Sequence, residues 1–310
     1  MDLVEEFIAD SAARGLTKHS IESYKSCITD FLRCYSNPTA VGLDELRTYL
    51  VDLRRRGLQG NTLKEYFSAL STFYDFLLFE GKMNSNPILG FRKRYLRIKN
   101  QHGGENTRQL ISTGQMRQLI RLADEDIDIL AKTIMLFLAK TGVRRGELIS
   151  MDVHDLDLER GEFRIKPLSK RSNRLGFLDG ELRAALVKYL NWREYRAVND
   201  ALWVHSNGKK VARNYVYNMV VRYSSRLGLH DPGGPLCKRF GPHCCRHFFT
   251  TMLRRNGMPR EFIKELRGDR RKEAVDIYDH IDTEELRRSY LQCVPKLLDV
   301  RLPSRRWEIE

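Results

Sequence analysis

The sequence of 310 residues has no long apolar run. Its most continuous one, Ile129–Ala139, falls far short of the roughly 20 residues that a membrane span needs. The first residues, MDLVEEFIAD, are acidic and amphipathic, unlike the basic-then-apolar order of a secretory signal. Six cysteines (Cys27, Cys34, Cys237, Cys244, Cys245 and Cys293) form no CxxC pair, and a chain this long has no need of disulfide staples. They are expected to be reduced thiols of a cytoplasmic protein. Cys244 and Cys245 stand beside His243 and His247, but adjacent cysteines seldom give two ligands to one zinc and a second ligand pair is missing. No metal is therefore expected. No internal repeat or low-complexity tract is evident, and a hydrophobic content of 42% excludes wholesale disorder. What the chain has in excess is positive charge: 54 Lys and Arg against 40 Asp and Glu, a net +14. That balance points to a polyanion, nucleic acid before an anionic membrane.

The length corresponds to about two domains. The first ninety residues predict a small bundle of four or five helices, punctuated by Gly15, Gly57 and Gly81. Thr17 and Asn61 are in position to cap the second and fourth. Phe91–Asn106 then has few apolar anchors, five basic residues in its first nine and a Gly-Gly pair, the composition of a linker. From Gln115 the pattern is helical again, with Ile129–Ala139 apolar nearly all round, as a central buried helix would be. Glu162–Lys166 alternates, and Arg174–Leu178 can return antiparallel to it across a polar, basic connection. Beyond Glu181 the chain reads as helices, broken at Asp231–Pro235. The expected boundaries are a helical domain over 1–91, a basic linker over 92–111, a second domain over 112–299 and a tail over 300–310.

Three segments hold residues suited to chemistry. In Thr141-Gly142-Val143-Arg144-Arg145-Gly146-Glu147-Leu148 a glycine turn would send Arg144 back across the end of the buried helix, with Glu147 in reach to hold it. An arginine there suits phosphate, because its planar fork gives parallel charge-assisted hydrogen bonds. Taken alone, it is equally a helix cap followed by a surface arginine. In Gly241-Pro242-His243-Cys244-Cys245-Arg246-His247, a helix starting at Pro242 places His243 and Arg246 side by side. A histidine that exchanges protons near pH 7 beside an anion-binding arginine fits phosphoryl transfer. His247 is expected to pack inside. Third, Leu266-Arg267-Gly268-Asp269 is followed by Tyr278-Asp279-His280. A tyrosine becomes a nucleophile only with a base and stabilising cations close by, and the chain contains both.

In order and spacing these segments resemble the tyrosine recombinases, the group that includes phage and archaeal integrases and the Xer, Cre and Flp enzymes. The matched residues are Arg144 in the T-G-V-R-x-x-E box, Lys170 in the hairpin, His243 and Arg246 in H-x-x-R-H, Asp269 in the L-G-H box and Tyr278 after it. The resemblance covers most of the chain and implies a mainly α fold with a small antiparallel β-sheet. In it, an N-terminal helical core-binding (SAM-like) bundle and a C-terminal catalytic domain form a C-shaped clamp on DNA. It implies site-specific cleavage and rejoining of DNA through a 3′-phosphotyrosyl link, without metal or ATP, for integration, excision or dimer resolution. Tyr278 would be the nucleophile, Arg144 and Arg246 the phosphate clamp, Lys170 the general acid, His243 a proton-transfer partner and Glu147 a support. The partners implied are double-stranded DNA carrying a specific site and further copies of the chain, a tetramer when assembled on DNA. Neither a membrane nor a small-molecule substrate is implied, and the protein is expected in the cytoplasm with the nucleoid. Rival readings are a type IB topoisomerase and a DNA-binding protein that keeps the fold without catalysis.

Two departures stand out. Asp269 occupies the position usually held by His, sometimes Trp, and an ionised aspartate has no hydrogen bond to donate to phosphate. The hairpin also lacks the common G-K-G sequence, so Lys170 is chosen by counting back from Phe177-Leu178, with Lys166 as runner-up. After the tyrosine, Asp282-Thr283-Glu284-Glu285 can start a capped helix whose stripe, Leu286, Tyr290, Leu291 and Val294, either packs on its own domain or docks on a neighbouring protomer. Tyr290 competes with Tyr278 for the nucleophile's role, though its place on that stripe argues for packing.

Overall fold

The structure, a computed structural model, describes residues 3–58, 60–96, 108–166, 173–269 and 281–298. The chain divides into two compact units, Met1–His102 and Gly103–Glu310.

The first unit is all helical: α1 (Leu3–Ala13), α2 (Lys18–Cys34), α3 (Leu43–Arg55), α4 (Gly60–Phe79) and α5 (Pro87–Tyr95). Thr17 accepts the backbone N–H of Ser20 and so caps α2. The fourth helix begins at Gly60, so Asn61 lies in its first turn instead of capping it. Buried aromatic rings, among them Phe7, Phe31, Tyr49, Phe67 and Phe73, fill the core. The segment taken for linker from Phe91 onward is still helical as far as Tyr95. Asn86 caps α5, Pro87 occupies its first position, and Phe91 is buried in a stack on Phe67 with centroids 5.2 Å apart. The run of basic residues masked this apolar face. Arg92, Lys93 and Arg94 lie in the last turn, where the helix dipole favours cations.

The second unit is built around α7 (Ile129–Thr141), buried along most of its length, against which α6 (Thr113–Glu125), α9 (Gly180–Glu194) and α11 (Pro242–Arg255) pack. Ser112 and Gln115 form a capping box at the start of α6, and Asp128 caps α7. Between α8 (Arg145–Ser150) and α9 runs a three-stranded antiparallel sheet, β1 (Leu156–Asp157), β2 (Glu162–Ile165) and β3 (Arg174–Phe177). Phe163 faces Gly176 and Ile165 faces Arg174. The hairpin therefore has the expected strands, to which the two-residue β1 adds an edge too short to show in the sequence. The unit continues through α10 (Arg213–Arg226) and α12 (Arg260–Arg267) to α13 (Thr283–Cys293).

The C-terminal helix α13 packs on its own unit, with Leu286, Tyr290, Cys293 and Val294 against Phe177, Phe249 and Leu253. Tyr290 is buried and its hydroxyl donates to the carbonyl of Lys140 at 3.1 Å. Burial raises its pKa well above the ordinary value, which removes it as a rival nucleophile. Among the described residues no helix is long and apolar enough to cross a membrane.

Candidate active site

The first box sits where α7 stops. Gly142 ends the helix in the left-handed conformation at φ 61°, and a Cβ there would lie 2.3 Å from the Phe249 ring. Only glycine meets both constraints. The turn makes Arg144 the N-cap of α8, whose backbone N–H donates to Glu147 Oε2 at 2.7 Å while its Nη1 donates to Oε1 at 3.0 Å. Glu147 thus holds both ends of the arginine.

Arg246 reaches the same place from α11, which starts at Pro242 as the motif predicts. Its guanidinium is almost fully enclosed and donates to the Gly142 carbonyl at 2.7 Å and to the Arg267 carbonyl at 2.8 Å. Arg144 Nη1 also donates to the Arg267 carbonyl, at 3.2 Å. That carbonyl belongs to the last residue of α12, where helix carbonyls lack partners and the dipole is negative, so a helix end draws in both cations. Gly268, at φ 60°, turns the chain so that Asp269 follows into the cluster. Asp269 Oδ1 accepts from Arg246 Nη2 at 3.0 Å and from Arg144 Nη2 at 3.4 Å. Its other oxygen, Oδ2, lies 3.0 Å from Nε of Arg267.

Arg174, seen in the sequence only as a strand residue, is part of this cluster. From the start of β3 its buried guanidinium donates to Glu147 twice, Nη1 to Oε1 at 3.1 Å and Nη2 to Oε2 at 2.7 Å, and Nε donates to the Leu266 carbonyl at 3.0 Å. Burial pushes the Glu147 carboxyl up, but the hydrogen bonds and charge of Arg174, with the Arg144 backbone N–H and charge, outweigh it and hold the group at about 2. A buried arginine with nothing apolar about it has no pattern signal. The pairing of β3 with β2, which sets Arg174 opposite Ile165, was the one available hint.

His243 lies on the N-terminal turn of α11 and packs edge-on against His247, ring centroids 5.0 Å apart. His247 does not pack inside: both side chains reach solvent, because the first two turns of α11 turn this face away from the core that Cys244, Cys245 and Phe248 enter. Partial desolvation first, then the charges of Arg108, the neighbouring His247, Arg246 and Arg267, lower His243 to about 4. Arg246 is lowered to about 9, by burial and then by repulsion from Arg144 and Arg267, partly offset by Asp269 and Glu147. Burial leads both shifts, and the surrounding cations add to each. The physical remedy for such a field is an anion, and a phosphodiester fits the guanidinium forks.

Lys166, the runner-up for the general acid, is turned elsewhere. Its Nζ sits 2.5 Å from Asp152 Oδ2 and 3.2 Å from Asp155 Oδ2. Lys170 and Tyr278 lie outside the described residues. The six cysteines are free thiols, and Cys244 and Cys245 are buried, which raises both.

The profile of the phage integrase family matches residues 109–285, and that of the phage integrase N-terminal SAM-like domain matches residues 3–80. Tyrosine recombinase XerC of Vibrio cholerae serotype O1 is 24% identical over 294 residues, covering 91% of this chain and 89% of that protein. Tyrosine recombinase XerD of Listeria monocytogenes is 23% identical over 313 residues, covering 95% and 99%. Among solved structures, a lambda integrase (75–356) dimer bound to a COC′ core site superposes with a TM-score of 0.70 at 16% identity, over 91% of this chain and 98% of that one. The XerH site-specific recombinase bound to a palindromic difH substrate does so with 0.67 at 21%, over 88% and 80%. The two arginine boxes, the hairpin between them and the corner at Asp269 all fall inside the first matched span, and the first four helices of the bundle fall inside the second: the chain belongs to the phage integrase family.

Proposed function

We propose that the chain is a tyrosine-type site-specific DNA recombinase, an integrase that cuts and rejoins double-stranded DNA through a covalent 3′-phosphotyrosyl intermediate. The observation that carries this is the meeting of Arg144 and Arg246 on one pair of acceptors, the Arg267 carbonyl and Asp269 Oδ1. Two guanidinia brought side by side from different helices form a clamp for the non-bridging oxygens of a phosphodiester. Tyr278 Oη attacks the phosphorus and forms the new P–O bond. The bond to O5′ breaks, its electron pair leaves with O5′, and Lys170 supplies the proton that O5′ takes. The tyrosine proton passes to His243, which is neutral near pH 7 and able to accept it. A phosphate in the clamp opposes the part of that lowering which the cations cause, and to that extent improves the base. Glu147 fixes Arg144, and rejoining runs the same steps backward with the phosphodiester energy conserved.

In this assignment the core-binding domain, expected over 1–91, runs on to the end of α5 at Tyr95, a basic linker follows as far as 111, 112–299 are the catalytic domain and 300–310 a tail. The protein works in the cytoplasm on nucleoid DNA as a tetramer of copies. A lambda integrase of the same fold has been crystallised as a tetramer on a Holliday junction.

The test needs a substrate. A pool of random duplexes is screened for the one the protein retains best, and that duplex, nicked at each position in turn, is incubated with the full chain. A protein–DNA adduct on a denaturing gel is the expected result. Tyr278→Phe should abolish it, and Arg144→Ala or Arg246→Ala should slow it by about a hundredfold or more. An absent wild-type adduct rejects the catalytic assignment and leaves a DNA-binding protein. Relaxation of plasmids that lack the selected site would point to a topoisomerase instead.

A further inference from the structure

Arg267 places a third arginine beside the clamp. It ends α12, and its backbone carbonyl is already used, accepting from Arg144 at 3.2 Å and from Arg246 at 2.8 Å. Its side chain is partly exposed, but its Nε is buried. Nε lies 3.0 Å from Asp269 Oδ2, an ion pair in which the buried N–H is not aimed along the contact and makes no hydrogen bond among the described residues. Three guanidinia therefore converge on one carboxylate: Arg144 and Arg246 share Oδ1, and Arg267 flanks Oδ2. Arg174 adds a fourth cation through Glu147, so four arginines face two carboxylates, Glu147 and Asp269. The charge of Arg267 reaches His243, His247 and Arg246, which puts it within the site's field. The one carboxylate among these three cations leaves their charge only partly balanced.

Resting on the recombinase assignment above, we infer that Arg267 is a further catalytic residue, a third donor to the scissile phosphate, and that Asp269 is the positioning residue that aims it. The carboxylate lies between the three guanidinia, accepting from Arg144 and Arg246 on one oxygen and flanked by Arg267 on the other. It is also acceptor-only, so it contributes no hydrogen bond to that phosphate. Arg267 supplies the donor that position lacks. The simpler alternative, a terminal arginine that only steadies the end of α12 through the helix dipole, asks nothing of the substrate.

The substrate's charge separates the two. On the selected nicked duplex, replacing one non-bridging oxygen of the scissile phosphate by methyl gives a methylphosphonate, which is neutral and has one charge fewer to neutralise. Arg267→Ala should slow adduct formation by about a hundredfold on the phosphodiester, the usual cost of one transition-state donor. On one of the two methylphosphonate diastereomers the loss should shrink to a few fold. Arg267→Gln, close in size and neutral, should behave in the same way, and thermal unfolding of both variants checks that they fold like wild type. An equal loss on the two substrates, or wild-type rates on the phosphodiester, overturns the role of Arg267 and leaves the recombinase assignment standing. Loss of the wild-type adduct itself overturns both.

Discussion

At the scale of single residues, Lys166 is not free to give up a proton. A general acid must lose its proton as the leaving oxygen departs, so a carboxylate partner that stabilises the ammonium works against it. Lys166 has two such partners, and the hydrogen bond to Asp152 leads the causes that raise its pKa. Lys170→Ala is therefore expected to stop cleavage of a duplex with an ordinary 5′-bridging oxygen and to spare one with a 5′-bridging sulfur, which leaves unprotonated. Lys166→Ala should cleave both at close to the wild-type rate, and the reverse pattern would exchange the assignments. Glu147 allows a second prediction at this scale, in stability. Its carboxyl is held at about 2 against an ordinary 4.5, so between those values the unfolded chain binds the extra proton. The contribution, about 3 kcal/mol from that difference, is fully present above pH 4.5 and fades as the pH falls toward 2. Glu147→Gln should lose roughly that much at pH 7 in urea unfolding, and the gap to wild type should narrow between pH 5 and 3.

At the scale of elements, the site is assembled from three chain corners, each closed by a local rule. Gly142 ends α7, Pro242 opens α11 and Gly268 ends α12. Gly142→Ala should cost about 2–4 kcal/mol, from left-handed strain and the collision with Phe249 together. Because the Gly142 carbonyl also holds Arg246, adduct formation should fall with it, whereas a loss of stability alone would leave the rate of the folded fraction unchanged. These corners were legible because glycine and proline announce turns and helix starts wherever they occur. So were α7, from its apolar run, and the antiparallel hairpin, from its alternation. Long-range polar contacts leave no such trace: Arg174 meets Glu147 and Leu266, distant in sequence, and nothing in its own neighbourhood says so. Phe91 failed for the opposite reason, since its one stack on Phe67 was outvoted by the basic residues around it. His247 failed because a helix's inner face was assigned from its neighbours, whereas the face that carries His243 is the one turned to the site. Why Asp269 replaces a histidine became arguable only when its two oxygens were seen to serve three arginines.

At the scale of the whole molecule, the second unit is closed by its own C-terminal segment through a buried polar knot. Lys140, on α7, is fully enclosed and places Nζ 2.6 Å from Asp179 Oδ2, 2.7 Å from Glu181 Oε2 and 2.9 Å from the Pro295 carbonyl. Glu181 accepts in turn from the backbone N–H groups of Leu297 and Leu298 at 2.8 and 3.3 Å. The knot therefore joins α7, which ends at Gly142, to α9 and to residues 295–298, and it holds α13 down from its far end. Burying one ammonium with two carboxylates stabilises little by itself, because desolvation offsets the attraction, but removing one member strands the others without water. Lys140→Met preserves the volume and leaves Glu181 without its cation and Asp179 with only the exposed Lys296 at 3.8 Å, at a cost of about 3–5 kcal/mol. That loss should be local. In hydrogen exchange of the full chain, amides of Gly180–Glu194 and Thr283–Cys293 should exchange roughly a hundredfold faster or more, while those of Lys18–Cys34 and Gly60–Phe79 in the first unit keep their rates. If protection drops equally in both units, the knot is not what fixes the C-terminal segment. If neither changes, the methionine has repacked the site and the two acids have found other partners.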